Sequence, residues 1–344
     1  MSFLVDLFNS EKKGKSVVLI DINTSSVAGA YVYYGEEALP VVLYTRRLPI
    51  ETHSRESEEK AMARALQILG DTLIREGAPL LAQTTGSGSA DAIIVAIGSL
   101  WQTTSVRTET FEEEQPFVFT RSLVTAKLET TAVTAEGKAL VDESIIGTIL
   151  NGYETRDPYG KEARRASVIV LTSSIDEHVA ESVVSILRGV FHSKHIQPIA
   201  SPSLRFQAIQ SAFPHERDAL IVDAIEPFTS IALVRRGLIV STSRIEVPTT
   251  AAHLSDEFAE LARQYPLPRT IFLLAHETET QALQKALGST NLGELWLSDN
   301  PPRIVSVLAS HVVPLVRQTT SAPPDLSLLL MAVYSQHAAL VDTM

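Results

Sequence analysis

The sequence predicts an α/β protein made of two similar lobes with a small α+β subdomain inserted between them. The first observation is an internal repeat: residues 17–35, VVLIDINTSSVAGAYVYYG, align without a gap with residues 219–237, ALIVDAIEPFTSIALVRRG. The second is that each copy is followed by a third strand, a helix and a further strand. The third is the long block between the two units, residues 105–200, which has helix and strand patterns of its own. Such ββ-β-α-β units are typical of mixed sheets with helices packed on them.

Each predicted element follows from its apolar pattern. In the first lobe these are a third strand over 41–47, a helix over 57–76 and a strand over 92–97. The second lobe has its counterparts over 238–245, 251–265 and 270–274. The inserted block is expected to hold helices over 121–131 and 177–190 and strands over 144–151 and 166–172. The predicted boundaries are a leader over 1–15, lobes over 16–104 and 201–324, the insert over 105–200, and a C-terminal helix over 325–344 with Asp325 as its N-cap.

Composition excludes several classes of function. The formal net charge is −11, from 40 acidic and 29 basic side chains, which argues against binding of a nucleic-acid backbone. There is no cysteine, so thiolate catalysis and thiolate zinc sites are absent. His192 and His195 lack a further ligand at recognisable spacing, so no metal site is expected. No uninterrupted apolar run is long enough to span a bilayer.

The N-terminus, MSFLVDLFNSEKKGK, lacks the order of a signal peptide, because its apolar residues precede its lysines. At helical spacing its apolar side chains share a face, which would suit peripheral contact with a membrane or a partner through Phe3, Leu4, Leu7 and Phe8. The alternative is a frayed leader before the first strand.

Duplicated lobes that each open on a hairpin, with an aspartate ending the first strand, resemble the actin-like ATPase superfamily, whose lobes are ribonuclease H-like. Within it, ILNGYETRDPYGKEARRASVIVLTS, residues 149–173, is similar to a stretch of FtsA and PilM proteins in which an N-G-Y or D-G-Y motif precedes a strand ending in threonine. The opening residues also resemble a PilM start. FtsA tethers the bacterial division ring to the membrane. PilM is the cytoplasmic platform of type IV pili and docks a short peptide of an inner-membrane partner.

The resemblance implies a nucleotide site between the lobes, and its motifs are altered here. Active members read D-x-G-S-S-x-x-K at the first hairpin, whereas this chain has Asn23 for the glycine and Ala28 where lysine is common. Asparagine tolerates left-handed backbone angles, and Thr24 and Ser25 still offer hydroxyl donors. Asp21, Asn23, Thr24 and Ser25 are therefore interpreted as a vestigial phosphate site that has lost a charged partner.

The second hairpin is altered further. Family members place two or three glycines after the position of Asp223, so that backbone amides approach the phosphates. Here Ile225 and Phe228 put side chains in the way, and Pro227 removes an amide donor. Glu226 adds a negative charge beside a would-be polyphosphate. The hairpin is predicted to remain as a fold element without phosphate binding.

The last members of the vestigial site are Thr229 and His276. The third motif, FLLAHETETQAL, residues 272–283, has His276 and Glu277 where the family has a glycine pair contacting adenosine. Adjacent residues on a helix do not share a face, so His276 is interpreted as a solvated helix cap rather than half of an acid–base pair.

The interval from Asp223 to Ala275 is also short. It holds two strands, a helix and one more strand, which leaves no chain for the subdomain that forms a wall of the adenine pocket in nucleotide-binding relatives. The sequence therefore predicts no catalytic residue and no cofactor. The alternative is an ATPase with an unorthodox site of Asp21, Thr24, Ser25 and Asp223 that uses ATP and magnesium.

The sequence thus predicts a non-catalytic actin-like scaffold, a cytoplasmic platform at the inner face of the cell membrane. Its expected partner is an inner-membrane protein of pilus assembly or of cell division, bound through a short cytoplasmic peptide. The insert is the expected docking element, with candidate contacts at Ile145, Ile149, Asn151 and Tyr153. Its strands could accept the peptide at a free edge, or they could be covered by the helix over 177–190.

Overall fold

The fold is described from a computed structural model of the chain. It describes residues 14–35, 39–98, 100–131, 136–155, 157–225, 228–245, 251–289, 295–296 and 302–341. The apolar leader positions therefore lie outside the described residues: Phe3, Leu4, Leu7 and Phe8. Within the part of the chain that is described, no helix has both the length and the apolar character needed to cross a bilayer.

The strands, in chain order, are β1 (Lys15–Ile22), β2 (Ser26–Tyr34), β3 (Val41–Pro49), β4 (Ala92–Ile97), β5 (Gln102–Val118), β6 (Lys138–Leu150), β7 (Tyr153–Glu154), β8 (Glu162–Asp176), β9 (Ile196–Ala200), β10 (Ala219–Ala224), β11 (Thr229–Arg235), β12 (Leu238–Ile245), β13 (Thr270–Ala275), β14 (Arg303–Ser306) and β15 (Arg317–Gln318). The helices are α1 (Glu58–Thr72), α2 (Ala78–Thr85), α3 (Arg121–Thr131), α4 (Glu177–Phe191), α5 (Ser201–Ala212), α6 (Ala251–Gln264), α7 (Glu277–Ser289), α8 (Ala309–Val312) and α9 (Leu326–Val341). A π-helical turn, Leu73–Gly77, joins α1 to α2.

The first lobe is built on a sheet with the strand order β15-β3-β2-β1-β4-β9. β1 runs antiparallel to β2 and parallel to β4. On one face, Val18 and Ile20 of β1 share a buried cluster with Met62 of α1. On the other face, Val17 and Leu19 belong to the central core. Because both faces are covered, β1 is apolar along nearly its whole length instead of alternating.

The second lobe repeats this plan in a sheet with the order β12-β11-β10-β13-β14. β10 is antiparallel to β11 and parallel to β13, as β1 is to β2 and β4. Leu220 and Val222 pack against Leu254 and Phe258 of α6. The predicted α/β fold of two duplicated lobes is confirmed.

The insert is an antiparallel sheet with the order β5-β8-β6-β7, and α3 covers one of its faces. The chain is divided differently from the expected boundary of residues 105–200. β9 pairs in parallel with β4, and α4 packs on α1, so both lie with the first lobe. The apolar stripe of α4 includes Val179 and Val183, which belong to the core of that lobe. The inserted sheet therefore spans residues 102–176, and α4 does not cover it.

Two helices, α5 and α9, pack on each other in the central core. The side chains from Leu328 to Tyr334 are all buried, which explains why this segment is apolar all round. The same cluster includes Leu19 of the first sheet and Ile221 of the second, so it joins the lobes. The expected cap at Asp325 is confirmed, because its Oδ1 accepts a hydrogen bond from the Leu328 amide at 3.2 Å.

Candidate functional site

The two aspartates of the repeat occupy the same place in each lobe. Asp21 is the next-to-last residue of β1, and Asp223 is the next-to-last residue of β10. Their relative exposures are only 1% and 2%. Because an ionised carboxylate is costly to bury without a charged or hydrogen-bonding partner, each aspartate needs one.

Arg205, on α5, supplies a charged partner between the lobes. Its Nη1 donates to Asp223 Oδ2 at 3.0 Å, and its Nη2 lies 3.6 Å from Asp21 Oδ1. The same Nη2 donates to Asn23 Oδ1 at 3.2 Å. Arg205 is itself 1% exposed. The positive charge of Arg205 therefore lies between Asp21 and Asp223. These are the two carboxylates that the alternative function, an ATPase, would need in order to hold magnesium and phosphate.

Arg47, on β3, is the second arginine of the site. Its Nη2 donates to Asp21 Oδ2 at 2.9 Å and its Nη1 to Ser26 Oγ at 2.8 Å. It also binds both carboxylate oxygens of Asp325, at 2.7 and 3.0 Å. Burial alone would lower the pKa of Arg47, but the hydrogen bonds to Asp325 and the charge of Asp21 more than offset this and raise it above its usual range. Arg47 thus joins the first hairpin to the start of α9.

The first hairpin differs in two ways from the expected phosphate turn. Asn23 could tolerate a left-handed backbone in place of glycine but does not adopt one; the described non-glycine residues with positive φ are Arg55, Asn151, His192 and Arg236. Its turn is instead closed by a bond from its amide to the Ser26 carbonyl at 2.9 Å. The Ser26 hydroxyl is already bonded to Arg47. Thr24 is half-buried and Ser25 is exposed.

The second hairpin is filled by its own side chains. Ile225 is buried in the central core, and its amide donates to Asp223 Oδ1 at 3.3 Å. The guanidinium of Arg244, on β12, lies over the Phe228 ring at 4.4 Å from the centroid, within cation–π range. The Ile225 amide and the Phe228 ring are thus each in contact with another group of the protein.

Thr229 and His276 complete the predicted site. Glu226 and Pro227 lie outside the described residues. Thr229 is buried at the start of β11. His276 is exposed before α7, and its carbonyl accepts bonds from the amide and the hydroxyl of Thr280, both at 2.9 Å. It stands at the start of a helix, as the cap interpretation expected.

A cavity of about 180 Å³ lies where the insert, α5 and the second lobe meet. It is lined by Gln102, Thr103, Thr104, Pro202, Phe206, Ser230, Thr242, Ser243 and Arg244. Small-molecule and cofactor sites typically measure about 300–1,000 Å³. The lining of this cavity does not include Asp21 or Asp223, so it is a different space from the one in which those carboxylates would hold a phosphate.

The predicted docking residues fall on two faces of the insert. Ile149 and Asn151 line an open notch of about 400 Å³ together with Gly152, Arg165 and Ser167. Ile145 pairs with Val170, on the face that carries α3. Tyr153 pairs with Leu150 on that same face and is 78% exposed. The four residues therefore do not form one surface.

Sequence reasoning missed Arg47 and Arg205, and it gave Asp325 only a capping role. The one local signal for Arg205 is its position in SPSLRFQAI, an otherwise uncharged segment. A charged residue in such a segment is buried only with a partner, so a buried acidic partner could have been sought.

Comparison with solved structures places this architecture in the actin-like ATPase fold. The structure of a PilM-PilN type IV pilus biogenesis complex matches over 94% of this chain and 98% of that chain, with a TM-score of 0.54 and 13% identity. A Bacteroides thetaiotaomicron protein with an actin-like ATPase fold and unknown function matches over 92% and 95%, with a TM-score of 0.44 and 11% identity. The ethanolamine utilization protein EutJ from Carboxydothermus hydrogenoformans matches over 97% of each chain, with a TM-score of 0.38 and 10% identity. No family model matches the chain, and no curated protein matches it significantly.

The fold of this chain is thus the one predicted from its repeat, and its interlobe cleft contains a buried cluster of arginines and aspartates. The chain therefore has an actin-like fold in which the hairpin aspartates are bound to the protein's own arginines.

Proposed function

We propose that the protein is a non-catalytic scaffold with an actin-like fold, a cytoplasmic platform for an inner-membrane protein of pilus assembly. The observation that carries the non-catalytic part is the Arg205 guanidinium, 3.0 Å from Asp223 and 3.6 Å from Asp21. The alternative ATPase needs these carboxylates to hold magnesium and phosphate. Arg205 on Asp223 and Arg47 on Asp21 already pair with these carboxylates, which weakens the affinity of the carboxylates for a cation.

The electrostatics of the two aspartates support this proposal. Magnesium demands near-octahedral oxygen ligands and is held through carboxylates and substrate phosphates. In this protein the carboxylate oxygens of Asp21 and Asp223 accept hydrogen bonds from Arg47, Arg205 and the Ile225 amide. ATP would have to displace an internal ion-pair network in order to bind.

The proposed partner rests on the likeness to the PilM-PilN complex and on the insert. That structure is described as a type IV pilus biogenesis complex, and it matches over nearly the full length of both chains. The insert carries exposed apolar side chains on one face, among them Ile145 and Tyr153, and an open notch at Ile149 and Asn151 on the other. Either surface could accept a cytoplasmic segment of a membrane protein. A division protein remains the other partner class that the sequence resemblance allows.

The non-catalytic part is tested by equilibrium titration with a fluorescent ATP analogue and magnesium. We expect no saturable binding at micromolar concentrations and no phosphate release. Micromolar affinity that is lost in Asp21→Asn would establish the ATPase alternative, which uses Asp21, Thr24, Ser25 and Asp223. Glu58→Gln, a change to an exposed carboxylate at the start of α1, is the matched control for charge.

The partner part is tested in cells that make the native partner. A fluorescent fusion of the full chain should collect at the membrane, and Ile149→Lys or Tyr153→Lys should release it. Leu123→Lys, an exposed change on α3 of the same insert, should not. Membrane localisation that persists in both docking variants would show that the insert is not the docking element.

A further inference from the structure

The open notch on the insert has a composition that points to the chemistry of its occupant. Its volume is about 400 Å³, and it is lined by Ile149, Asn151, Gly152, Arg165 and Ser167. One apolar side chain therefore lies beside a guanidinium, a hydroxyl and a side-chain amide.

The notch exists because the second lobe covers only part of one face of the inserted sheet. Ile149 pairs with Ser167, and since side chains on a strand alternate, Arg165 and Ile169 share the face of Ser167. Nearer the lobes, Ile169 and Leu171 of this same face are buried. The outer part of the face is left open, and that part forms the notch.

Contacts with the second lobe close the inner end of the notch. A Cβ placed on Gly147 would lie 2.7 Å from Leu238 Cδ1, so the two chains are in close contact there. Arg217 lies 3.5 Å from Glu154 and also donates to the Arg236 carbonyl at 2.6 Å. These contacts hold the insert against the β11–β12 turn.

The polar side chains of the notch are mainly hydrogen-bond donors that have no acceptor among the described residues. Among the described residues, the Arg165 guanidinium has no ion pair, although Glu112 stands opposite it on β5. Asn151 Oδ1 accepts the amides of Arg164 and Arg165 at 2.9 and 3.3 Å, so the Asn151 Nδ2 hydrogens point away from them. The Ser167 hydroxyl has no hydrogen-bond partner in the described part of the chain. Three kinds of donor therefore face a space that an acceptor could enter.

We propose that this notch binds an extended partner segment that carries a carboxylate beside an apolar side chain. The carboxylate accepts a bidentate pair of bonds from Arg165 and a further bond from Ser167 or Asn151, and the apolar side chain packs on Ile149. The proposal rests on the partner docking proposed above and names the chemistry of the docked segment. An acidic side chain of the partner complements the Arg165 guanidinium, which has no ion pair among the described residues.

The experiment selects peptides without assuming a sequence. A displayed library of random twelve-residue peptides is panned on the full chain. We expect the selected peptides to share an aspartate or glutamate next to a large apolar residue. Labelled copies are then titrated against the wild type, Arg165→Gln and Arg164→Gln. The Arg164 side chain is the matched control, because it is also exposed and does not line the notch.

Arg165→Gln should weaken binding about tenfold to a hundredfold, as expected for loss of a charged hydrogen bond. Replacing the peptide carboxylate by its amide should cost the same on the wild type and nothing further on Arg165→Gln. Arg164→Gln should change the affinity less than twofold.

Selected peptides without an acidic residue, or peptides that bind Arg165→Gln as tightly as the wild type, would overturn the proposal. So would concentration-dependent dimers that Arg165→Gln abolishes, because the occupant would then be a second copy of this chain. These outcomes are separate from failure of the scaffold proposal. Scaffold failure appears as ATP binding or as membrane localisation that ignores the insert, and neither readout involves Arg165.

Discussion

Arg47 and Arg244 occupy equivalent positions in the two lobes, each on the third strand and in register with the aspartate of its hairpin. Cross-strand pairing aligns Asp21 with Ala28 and Ala28 with Arg47. In the second lobe it aligns Asp223 with Ser230 and Ser230 with Arg244. The duplication therefore places an arginine on the third strand of each lobe, across the hairpin from its aspartate.

The two arginines are nevertheless used differently. Arg47 binds Asp21 at 2.9 Å, whereas Arg244 donates to the Gln102 carbonyl at 2.9 Å and lies over Phe228. The difference follows from Arg205, which lies closer to the aspartate of the second lobe. Each buried aspartate thus has one arginine within about 3 Å. Each of the two hairpin carboxylates is therefore compensated by an arginine of the protein itself.

The first prediction concerns the stability that Arg205 provides. Arg205→Met should lower the free energy of unfolding by about 3–5 kcal/mol, because it leaves Asp223 buried without a charged partner. Adding Asp223→Asn to that variant should recover a large part of the loss, since the carboxylate no longer has to be buried as an ion. Urea unfolding of the two single variants and the double variant measures this. Losses that simply add in the double variant would show that the two residues are not coupled.

The second prediction is a gain of cation binding. In Arg205→Ala the space of the guanidinium is bordered by oxygens of Asp21, Asn23 and Asp223, which are ligands that magnesium prefers. Millimolar magnesium should therefore raise the melting temperature of Arg205→Ala and leave the wild type unchanged. Arg205→Ala combined with Asp223→Asn is the control and should lose the response. An equal shift in the wild type would contradict the view that Arg205 occupies the position of a cation.

The fold could be predicted from the sequence largely because its evidence is local. Asp21 and Asp223 each follow a short apolar run, and the two copies of the repeat align without a gap. The helix over 121–131 was predicted with its observed bounds. Such patterns can be read from the sequence because the spacing of apolar residues within one helix or strand reflects which of its side chains are buried.

The rest depends on contacts between distant parts of the chain. The pairing of Arg205 with Asp21 joins residues on different elements and in different lobes, and nothing in either segment indicates the other. The helix over 177–190 was predicted as a helix, but the sheet that it covers depends on the pairing of β9 with β4. A β-bulge between Ile145 and Gly147 shifts the register of β6. Because of this shift, the predicted docking residues Ile145 and Ile149 lie on different faces of the inserted sheet.

The third prediction separates two neighbouring arginines of β3. Arg47→Gln removes hydrogen bonds to Asp21 and Asp325 and should lower the free energy of unfolding by about 1.5–3 kcal/mol. Arg46→Gln changes an exposed side chain without a described ion pair, so its effect should stay within about 0.5 kcal/mol. Chemical denaturation of both variants measures the difference. Arg47→Gln should also speed hydrogen exchange in the first turn of α9, where Asp325 is the cap. Equal stability of the two variants would mean that Arg47 does not hold this helix.

The fourth prediction is a pH dependence at Glu56. Its carboxylate accepts bonds from Arg64 Nη2 at 2.9 Å and from the His53 amide at 3.0 Å, and these lower its pKa from 4.5 to about 2. Because the folded pKa lies below the unfolded one, the contribution to stability is present above pH 4.5 and disappears as the pH falls toward 2. Titration of the Glu56 carboxyl by NMR should give a midpoint near 2, and Arg64→Gln should raise it. A midpoint near 4.5 in the wild type would show that the pair with Arg64 does not form.

The last prediction tests how the insert is seated on the second lobe. A Cβ on Gly147 would lie 2.7 Å from Leu238 Cδ1 and 3.0 Å from its Cδ2, so a β-branched side chain at this position cannot fit without movement. Gly147→Val should therefore push the insert from the β11–β12 turn and weaken the contact between Arg217 and Glu154. Hydrogen exchange at Arg236 and Gly237 should become faster, because the Gly237 amide is bonded to the Arg217 carbonyl in this turn.

The compensating change is Leu238→Ala, which removes both methyl groups that the new side chain would meet. Gly147→Val with Leu238→Ala should restore slow exchange in the turn, although Leu238→Ala alone should lower stability slightly by leaving a gap. Gly189→Val is the control for adding a β-branched residue, since a Cβ there meets no atom within 4 Å. If Gly147→Val leaves exchange in the turn unchanged, the insert does not depend on this contact for its position. If Gly189→Val speeds exchange in the same turn, the effect is one of general stability and not of the seating of the insert.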